Sequence, residues 1–223
     1  FIIWLSPVGV FCLIFSTFSS LGISIIFTLI NYFLIVLGVL IFHAVFTYSL
    51  LLTSLAKINP FIFFSKMKEA IIFAFSTSSS SATMPVTLKT VEEKLGVDKS
   101  VSSFCIPLGT TINMDGTAIM QGVATVFIAQ VYQVDLSMME YLMVIITATL
   151  ASIGTAGVPG VGLIMLAMVL QQVGLPVEGI ALIIGVDRLL DMLRTAVNVS
   201  GDATISCIVA NTENQLSRKD FIS

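Results

Sequence analysis

Five polar side chains stand out along the last long apolar stretch: Asp187, Asp191, Arg194, Asn198 and Asp202, at steps of four, three, four and four. At 3.6 residues per turn these steps place them within an arc of roughly 80°, one polar stripe on an otherwise apolar helix. A second cluster, Asn113-Met114-Asp115-Gly116-Thr117, interrupts another apolar run. A planar guanidinium grips a carboxylate through two parallel bonds, an aspartate accepts an ammonium, and oxygen-only clusters suit hard cations. The two clusters thus hold the parts to bind a small solute with a carboxylate and an ammonium. An Asp191–Arg194 pair that only glued helices together would leave Asn198, Asp202, Asn113 and Asp115 without a task.

Other chemistries lack parts. Cys12, Cys105 and Cys207 are far apart, odd in number and inside apolar segments, so they give neither a disulfide framework nor a metal spacing and read as packing residues. His43 and Trp4 are single occurrences in apolar surroundings and also read as packing. The serine run at 76–81 has only one histidine in the chain to activate it, and Gly154–Gly160 is no phosphate loop and has no lysine after it. An enzyme is not expected, and neither is a nucleic-acid partner.

The elements that must position these residues belong in a bilayer. Of 223 residues, 57% are hydrophobic and 10% charged, against about 25% charged in a typical soluble domain; the mean hydropathy is +1.05. A net charge of −3 is too small to argue from. No Asp, Glu, Lys or Arg occurs from Phe1 to Ala56, and a spanning helix needs about 20 apolar residues, so two passes fit there with a turn near Ser19–Gly22. The sequence opens on Phe1 without a basic segment ahead of the apolar run, which reads as a chain continuing from earlier spans and not as a signal peptide.

Charge placement sets the passes. Lys66 and Lys68 precede the segment Ala70–Leu88, and Lys89, Lys94 and Lys99 follow it. Basic flanks stay cytoplasmic, so the segment is expected to enter and leave by one face. Its middle, Ser76 to Pro85, is rich in hydroxyls and contains a proline, a poor helix centre. Irregular backbone at membrane depth survives only where protein buries it or where it lines a cavity. The uncharged run Tyr141–Val177, broken at Gly154–Gly160 and flanked by acidic residues only, is expected to dip as a second hairpin from the opposite face. Arg218 and Lys219 then place the C-terminus in the cytoplasm. An internal echo supports an inverted repeat: Thr110-Thr-Ile-Asn113-Met-Asp-Gly116 matches Thr195-Ala-Val-Asn198-Val-Ser-Gly201, and Ser81–Pro85 echoes Thr155–Pro159.

Four blocks, Ser79–Thr87 (SSSATMPVT), Pro107–Thr117 (PLGTTINMDGT), Ala151–Gly160 (ASIGTAGVPG) and Leu190–Asp202 (LDMLRTAVNVSGD), resemble the signature blocks of the dicarboxylate/amino acid:cation symporter family, the glutamate transporters. The resemblance covers essentially the whole chain and suggests the C-terminal half of a prokaryotic-type member. It implies an all-α membrane protein of spanning helices plus two opposed re-entrant hairpins. Residues 1–18 would end a fifth, scaffold helix, 20–56 would form the sixth, and 57–223 the core transport domain. Within that domain it implies hairpin 1 at about 63–92, helix 7 at about 101–130, hairpin 2 at about 137–176 and helix 8 at about 178–211. A homotrimer in the cell membrane, of a bacterial inner-membrane kind, is implied, with the transport domain sliding elevator-like against a scaffold.

By the same resemblance Arg194 would bind the substrate's side-chain carboxylate, Asp191 its ammonium and Asn198 its α-carboxylate, with Thr117, Thr195, the backbone around Ser79 and Ser80, and Val158 and Gly162 completing the pocket. No cofactor is implied beyond sodium as coupling ion: one site from Gly109, Asn113, Asn198 and the carboxylate of Asp202, a second from the carbonyls of Thr111, Ser152, Ile153 and Thr155, and a third from Asn113 and Asp115 with an earlier helix.

Two departures matter. Members usually carry a second arginine, at the position of Ser78 or of Met192; Arg188 lies one turn before Met192 on nearly the same face. Gln121 stands where mammalian glutamate carriers have a glutamate tied to proton and potassium coupling. Sodium symport of aspartate or glutamate is the resulting expectation. The alternatives are a proton-coupled glutamate/aspartate or C4-dicarboxylate symporter, and a fragment inactive for want of scaffold helices.

Overall fold

In a computed structural model, the structure describes residues 25–217 together with Phe15 and Ser19. The remainder of the expected scaffold helix over 1–18, Trp4, Cys12, the turn residues 20–22, and Arg218 and Lys219 lie outside the described residues. The architecture is all-helical, and the one β-bridge among the described residues is the isolated antiparallel pair Val97–Leu216.

Helix α1, Ile25–Phe42, has no charged residue. Its inward stripe, Leu29, Tyr32, Val36 and Leu40, repeats at helical spacing and is buried, whereas Phe27, Leu34, Ile35, Ile41 and Phe42 point outward and are exposed. A soluble helix would carry polar residues on that outer face; hydrocarbon is the solvent that suits this one. The helix runs on through a π turn, His43–Thr47, one α turn, Tyr48–Leu51, and a second π turn, Leu52–Ala56. Over Ile26–Ala56 it is the one described helix long and apolar enough to cross a membrane.

Helix α2, Pro60–Thr77, starts at a capping Asn59 whose side chain accepts from the Phe61 N–H, with proline at the first helical position. It ends where Ser78 turns left-handed (φ 51°), and Ser79 then caps α3, Ser80–Glu93. The hydroxyl-rich stretch 76–85 is therefore irregular over only two residues, and Pro85 sits inside α3. Serine at 79 works as a cap because its Oγ accepts the Ala82 N–H at 3.1 Å. Next, α4, Lys99–Ile112, begins at Asp98. The Ser100 N–H and hydroxyl both donate to this exposed carboxylate and hold it below the usual carboxylate range.

The apolar run continues as α5, Asp115–Val131, after a break at Asn113 and Met114. Helix α6, Met138–Ile153, opens with a Ser137/Glu140 capping box. The glycine-rich segment 154–160 is non-helical and passes, through a left-handed Gly160 (φ 79°), into α7, Val161–Gln172. A 3-10 turn at Val177–Gly179 leads into α8, Ile180–Thr212, which at 33 residues is about 50 Å long.

Helix α8 is the axis of the packing and touches α1 to α5 and α7. Two apolar cores lie along it. One joins α1, α5, α6, α7 and α8 as far as Val197; the other joins the end of the first long helix to α2, α3, α4 and α8 from Val199 onward. The cores divide at Asn198 on α8 and between Tyr48 and Leu52 on the first helix. Polar side chains concentrate at that division.

Candidate functional site

All five residues of the α8 stripe are buried. The Arg194 guanidinium, 1% exposed, donates through Nη1 to Asp187 at 2.7 Å and through Nη2 to Asp191 at 2.8 Å. Spacings of seven and three residues put both carboxylates on the arginine's own helix face. The Nη2 distance to the second Asp187 oxygen is 3.4 Å, and the buried Nε has no hydrogen-bond partner. The trio holds two carboxylates to one guanidinium, and a buried charge persists only when so paired. Asp187 was part of the stripe but not of the expected binding set; its i, i+7 relation to Arg194 was the available signal.

The two hairpin tips meet above this trio. The Ser79 hydroxyl donates to the Gly157 carbonyl at 2.7 Å and the Ser81 N–H donates to the same oxygen at 3.1 Å. Ser79 therefore serves the contact between tips, while Ser80, Thr117, Val158, Gly162, Asp191, Thr195 and Asn198 line a cavity of about 20 Å³ beneath them, joined by Ser78 and Met114. Arg194 lies outside that lining, but a Cβ on Gly162 would stand 3.6 Å from its Nη2. The Gly160 N–H donates to Asp191 at 3.1 Å, and Gln121 donates from Nε2 to the Gly162 carbonyl at 3.3 Å, so the 154–162 arm is tied to both α8 and α5. An open cleft of about 590 Å³ on the far side of Gly160 reaches Asp187, Arg188 and Asp191.

Gly157 is the close approach that lets the tips touch. A Cβ there would stand 2.9 Å from Ser81 Oγ and 3.1 Å from both the Ser81 nitrogen and the Thr110 carbonyl, which is backbone that cannot easily give. Gly157→Ala is expected to part the tips. In a background with the native cysteines replaced by alanine, Ser80→Cys should then react several-fold faster with a water-soluble thiol reagent. An unchanged rate would show that the tips do not close the cavity.

Beside the cavity the expected cation residues form an oxygen-rich knot. Asn113 donates through Nδ2 to Asp202 Oδ1 at 2.8 Å and to the Asn198 carbonyl at 3.1 Å, and the Asn198 side-chain oxygen accepts the Gly116 N–H at 2.8 Å. A Cβ on Gly109 would come within 2.5 Å of Asp202 Oδ1, so glycine there lets the carboxylate lie against the α4 backbone. Asp202 is buried and, among the described residues, forms no ion pair. A buried carboxylate without a cationic partner is costly, and carboxylate, amide and carbonyl oxygens are the donors a sodium ion takes. The residues present fit that ion.

The second expected set is one of carbonyls, and Thr155 of that set also lines the small cavity. Thr111, exposed, turns its hydroxyl to the Leu108 carbonyl, the Ser152 hydroxyl bonds Thr149, the Thr155 hydroxyl bonds Ala151, and the Ser152 carbonyl accepts the Thr155 N–H. Ile153 is exposed at the end of α6. Asp115 is bound by residues that the sequence did not single out as ligands: Tyr48 Oη lies 2.5 Å and His43 Nε2 2.7 Å from its Oδ2. His43 is thus a hydrogen-bond partner of Asp115, not merely a packing residue. No spacing could have joined residues more than sixty positions apart.

The model of the sodium:dicarboxylate symporter family matches residues 1–212. The chain is 44% identical over 223 residues to excitatory amino acid transporter 1 of Homo sapiens, covering 98% of this chain and 41% of that protein. It is 45% identical over 210 residues to an excitatory amino acid transporter of Caenorhabditis elegans (93% and 42% covered), and 47% identical over 190 to excitatory amino acid transporter 3 of Oryctolagus cuniculus (85% and 36%). The chain spans about two fifths of the length of these relatives. All three are animal proteins and give no support to a prokaryotic-type assignment.

Proposed function

The chain belongs to the sodium:dicarboxylate symporter family, a family of membrane transporters, and from that premise we propose that it forms the binding core of a sodium-coupled carrier of aspartate or glutamate. The observation that carries this reading is Arg194, buried and paired with Asp187 and with Asp191, which itself lines the small cavity beneath the two touching hairpin tips.

Binding is an exchange of partners. An acidic amino acid brings a carboxylate for the guanidinium and an ammonium for Asp191, so each charge that loses a partner within the trio gains one from the substrate. Desolvation is then offset on both sides, which a neutral or purely anionic solute achieves on one side only. A cavity of about 20 Å³ has room for a single water and not for an amino acid. The tips must part to admit substrate, and the Ser79 and Ser81 hydrogen bonds to the Gly157 carbonyl are the ones that break.

Sodium at Asp202, with oxygens of Asn113, Asn198 and Gly109, would neutralise the third buried carboxylate of α8 and fix the α4–α5 break against α8. Because Asn198 belongs both to this knot and to the substrate cavity, ordering it from one side lowers the cost of ordering it from the other, a coupling expected to run both ways. The sliding of residues 57–223 against a scaffold, the threefold assembly, the opposed orientation of the two hairpin-and-helix units and a cytoplasmic C-terminus belong to the same proposal and rest on family membership.

Protein expressed from its full reading frame and reconstituted in liposomes is expected to accumulate labelled aspartate or glutamate only under an inward sodium gradient. Equal uptake in choline would sink the sodium reading, and proton-driven uptake would replace it with the proton-coupled one.

A further inference from the structure

We propose that the Tyr48 hydroxyl is a neutral ligand of an alkali cation held at Asp115, turning its O–H from the carboxylate to the Val197 carbonyl when the cation binds; this deepens the sodium-coupled reading above and rests on it.

Tyr48 is 3% exposed, and its hydroxyl lies 2.5 Å from Asp115 Oδ2 and 3.1 Å from the Val197 carbonyl oxygen. A phenol has one proton and here faces two acceptors. While the proton points to Asp115 the carboxylate is satisfied by a neutral donor. Rotated to Val197, the same oxygen presents a lone pair toward Asp115, and phenol and carboxylate oxygens then face one point, the donor type hard cations take.

The backbone is built to bring that hydroxyl there. Tyr48 follows His43 by five residues, and on a regular α-helix these would diverge by about 140°. The π turn at His43–Thr47, whose i to i+5 bond runs from the Tyr48 N–H to the His43 carbonyl, stacks them on one side, with ring centroids 4.9 Å apart and both polar atoms on Asp115 Oδ2. Opposite stands Gly201: a Cβ there would lie 2.7 Å from Tyr48 Oη and 2.5 Å from Asn113 Nδ2. Glycine at 201 thus admits the phenol and the Asn113 amide to one spot on α8, linking Asp115 to the Asp202 knot.

A hydroxyl that only satisfied Asp115 would compete with a cation, and its loss would tighten cation binding. A ligand has the opposite sign. Purified protein in detergent, without acidic substrate, is titrated with lithium, sodium or potassium chloride against choline chloride at constant ionic strength, following the thermal midpoint and the tyrosine ultraviolet difference signal. One of these cations is expected to raise the midpoint and perturb tyrosine absorption. In Tyr48→Phe, which keeps the ring, the half-saturating concentration should rise at least tenfold and the difference signal should vanish, while it survives in Tyr132→Phe/Tyr141→Phe, which changes two tyrosines outside the site.

An unchanged or lower half-saturating concentration in Tyr48→Phe, or no cation-induced tyrosine signal in the Tyr132→Phe/Tyr141→Phe protein, overturns the proposal. The second readout does not depend on Tyr48→Phe folding, which its midpoint in choline reports. A parent that binds the cation but takes up acidic substrate without it would overturn the sodium-coupled reading and leave the Tyr48 ligand standing.

Discussion

Arg194→Cys is expected to abolish binding of aspartate and glutamate while admitting a small neutral amino acid. The guanidinium is buried and shared between Asp187 at 2.7 Å and Asp191 at 2.8 Å. Removing one partner from such a buried charge pair costs about 3–5 kcal/mol, roughly a hundred- to a thousandfold or more in an affinity that uses it. Cysteine leaves space where the guanidinium stood and no positive charge to meet a second carboxylate, so selection should shift toward substrates whose side chain is short and uncharged. Equilibrium binding of labelled aspartate, glutamate and serine to parent and variant reads this directly. Retained aspartate affinity would show that Arg194 only ties Asp187 to Asp191. The thermal midpoint separates the two effects, because two unpaired carboxylates on α8 also lower stability.

Asp202→Asn carries the second large effect, on the cation rather than on the substrate. The two side chains have nearly the same shape, so the approach to Gly109 is preserved and only the charge and its acceptor pattern change. Asn113 Nδ2, now 2.8 Å from Asp202 Oδ1, can still find an amide oxygen there. A cation cradle stripped of its only carboxylate should lose most of its affinity, and the sodium concentration that half-saturates substrate binding is expected to rise by about a hundredfold, equivalent to roughly 2.8 kcal/mol. Binding that keeps its sodium dependence in this variant would place the coupling ion elsewhere.

The two substitutions act on opposite sides of Asn198. Its side-chain oxygen takes the Gly116 N–H, its carbonyl takes Asn113, and it borders the cavity that Asp191 and Thr195 also line. Substrate and ion therefore need not touch to influence each other. A residue that either one orders is already ordered for the other.

Much of this is legible in the amino-acid sequence. Composition and the charge-free opening stretch indicated a bilayer, because apolar side chains that must face out need a hydrocarbon solvent whatever the fold. The four-three-four-four spacing on α8 put Asp187, Asp191, Arg194, Asn198 and Asp202 on one face because an α-helix fixes that geometry locally, and all five are buried there. Turn chemistry marked both hairpin tips, although capping by Ser79 narrowed the first break to two residues and left Pro85 within a helix.

What the tertiary structure decided is who meets whom across the chain. The Ser79 hydroxyl reaches the tip of the other hairpin because Gly157 lacks the Cβ that would hold the two backbones apart. Tyr48 and His43 reach Asp115 because a π turn rotates them onto one side of their helix and Gly201 opens α8 to the phenol. Residue spacing encodes one helix face at a time, whereas a contact between helices depends on where a turn widens and where a side chain is missing on the partner.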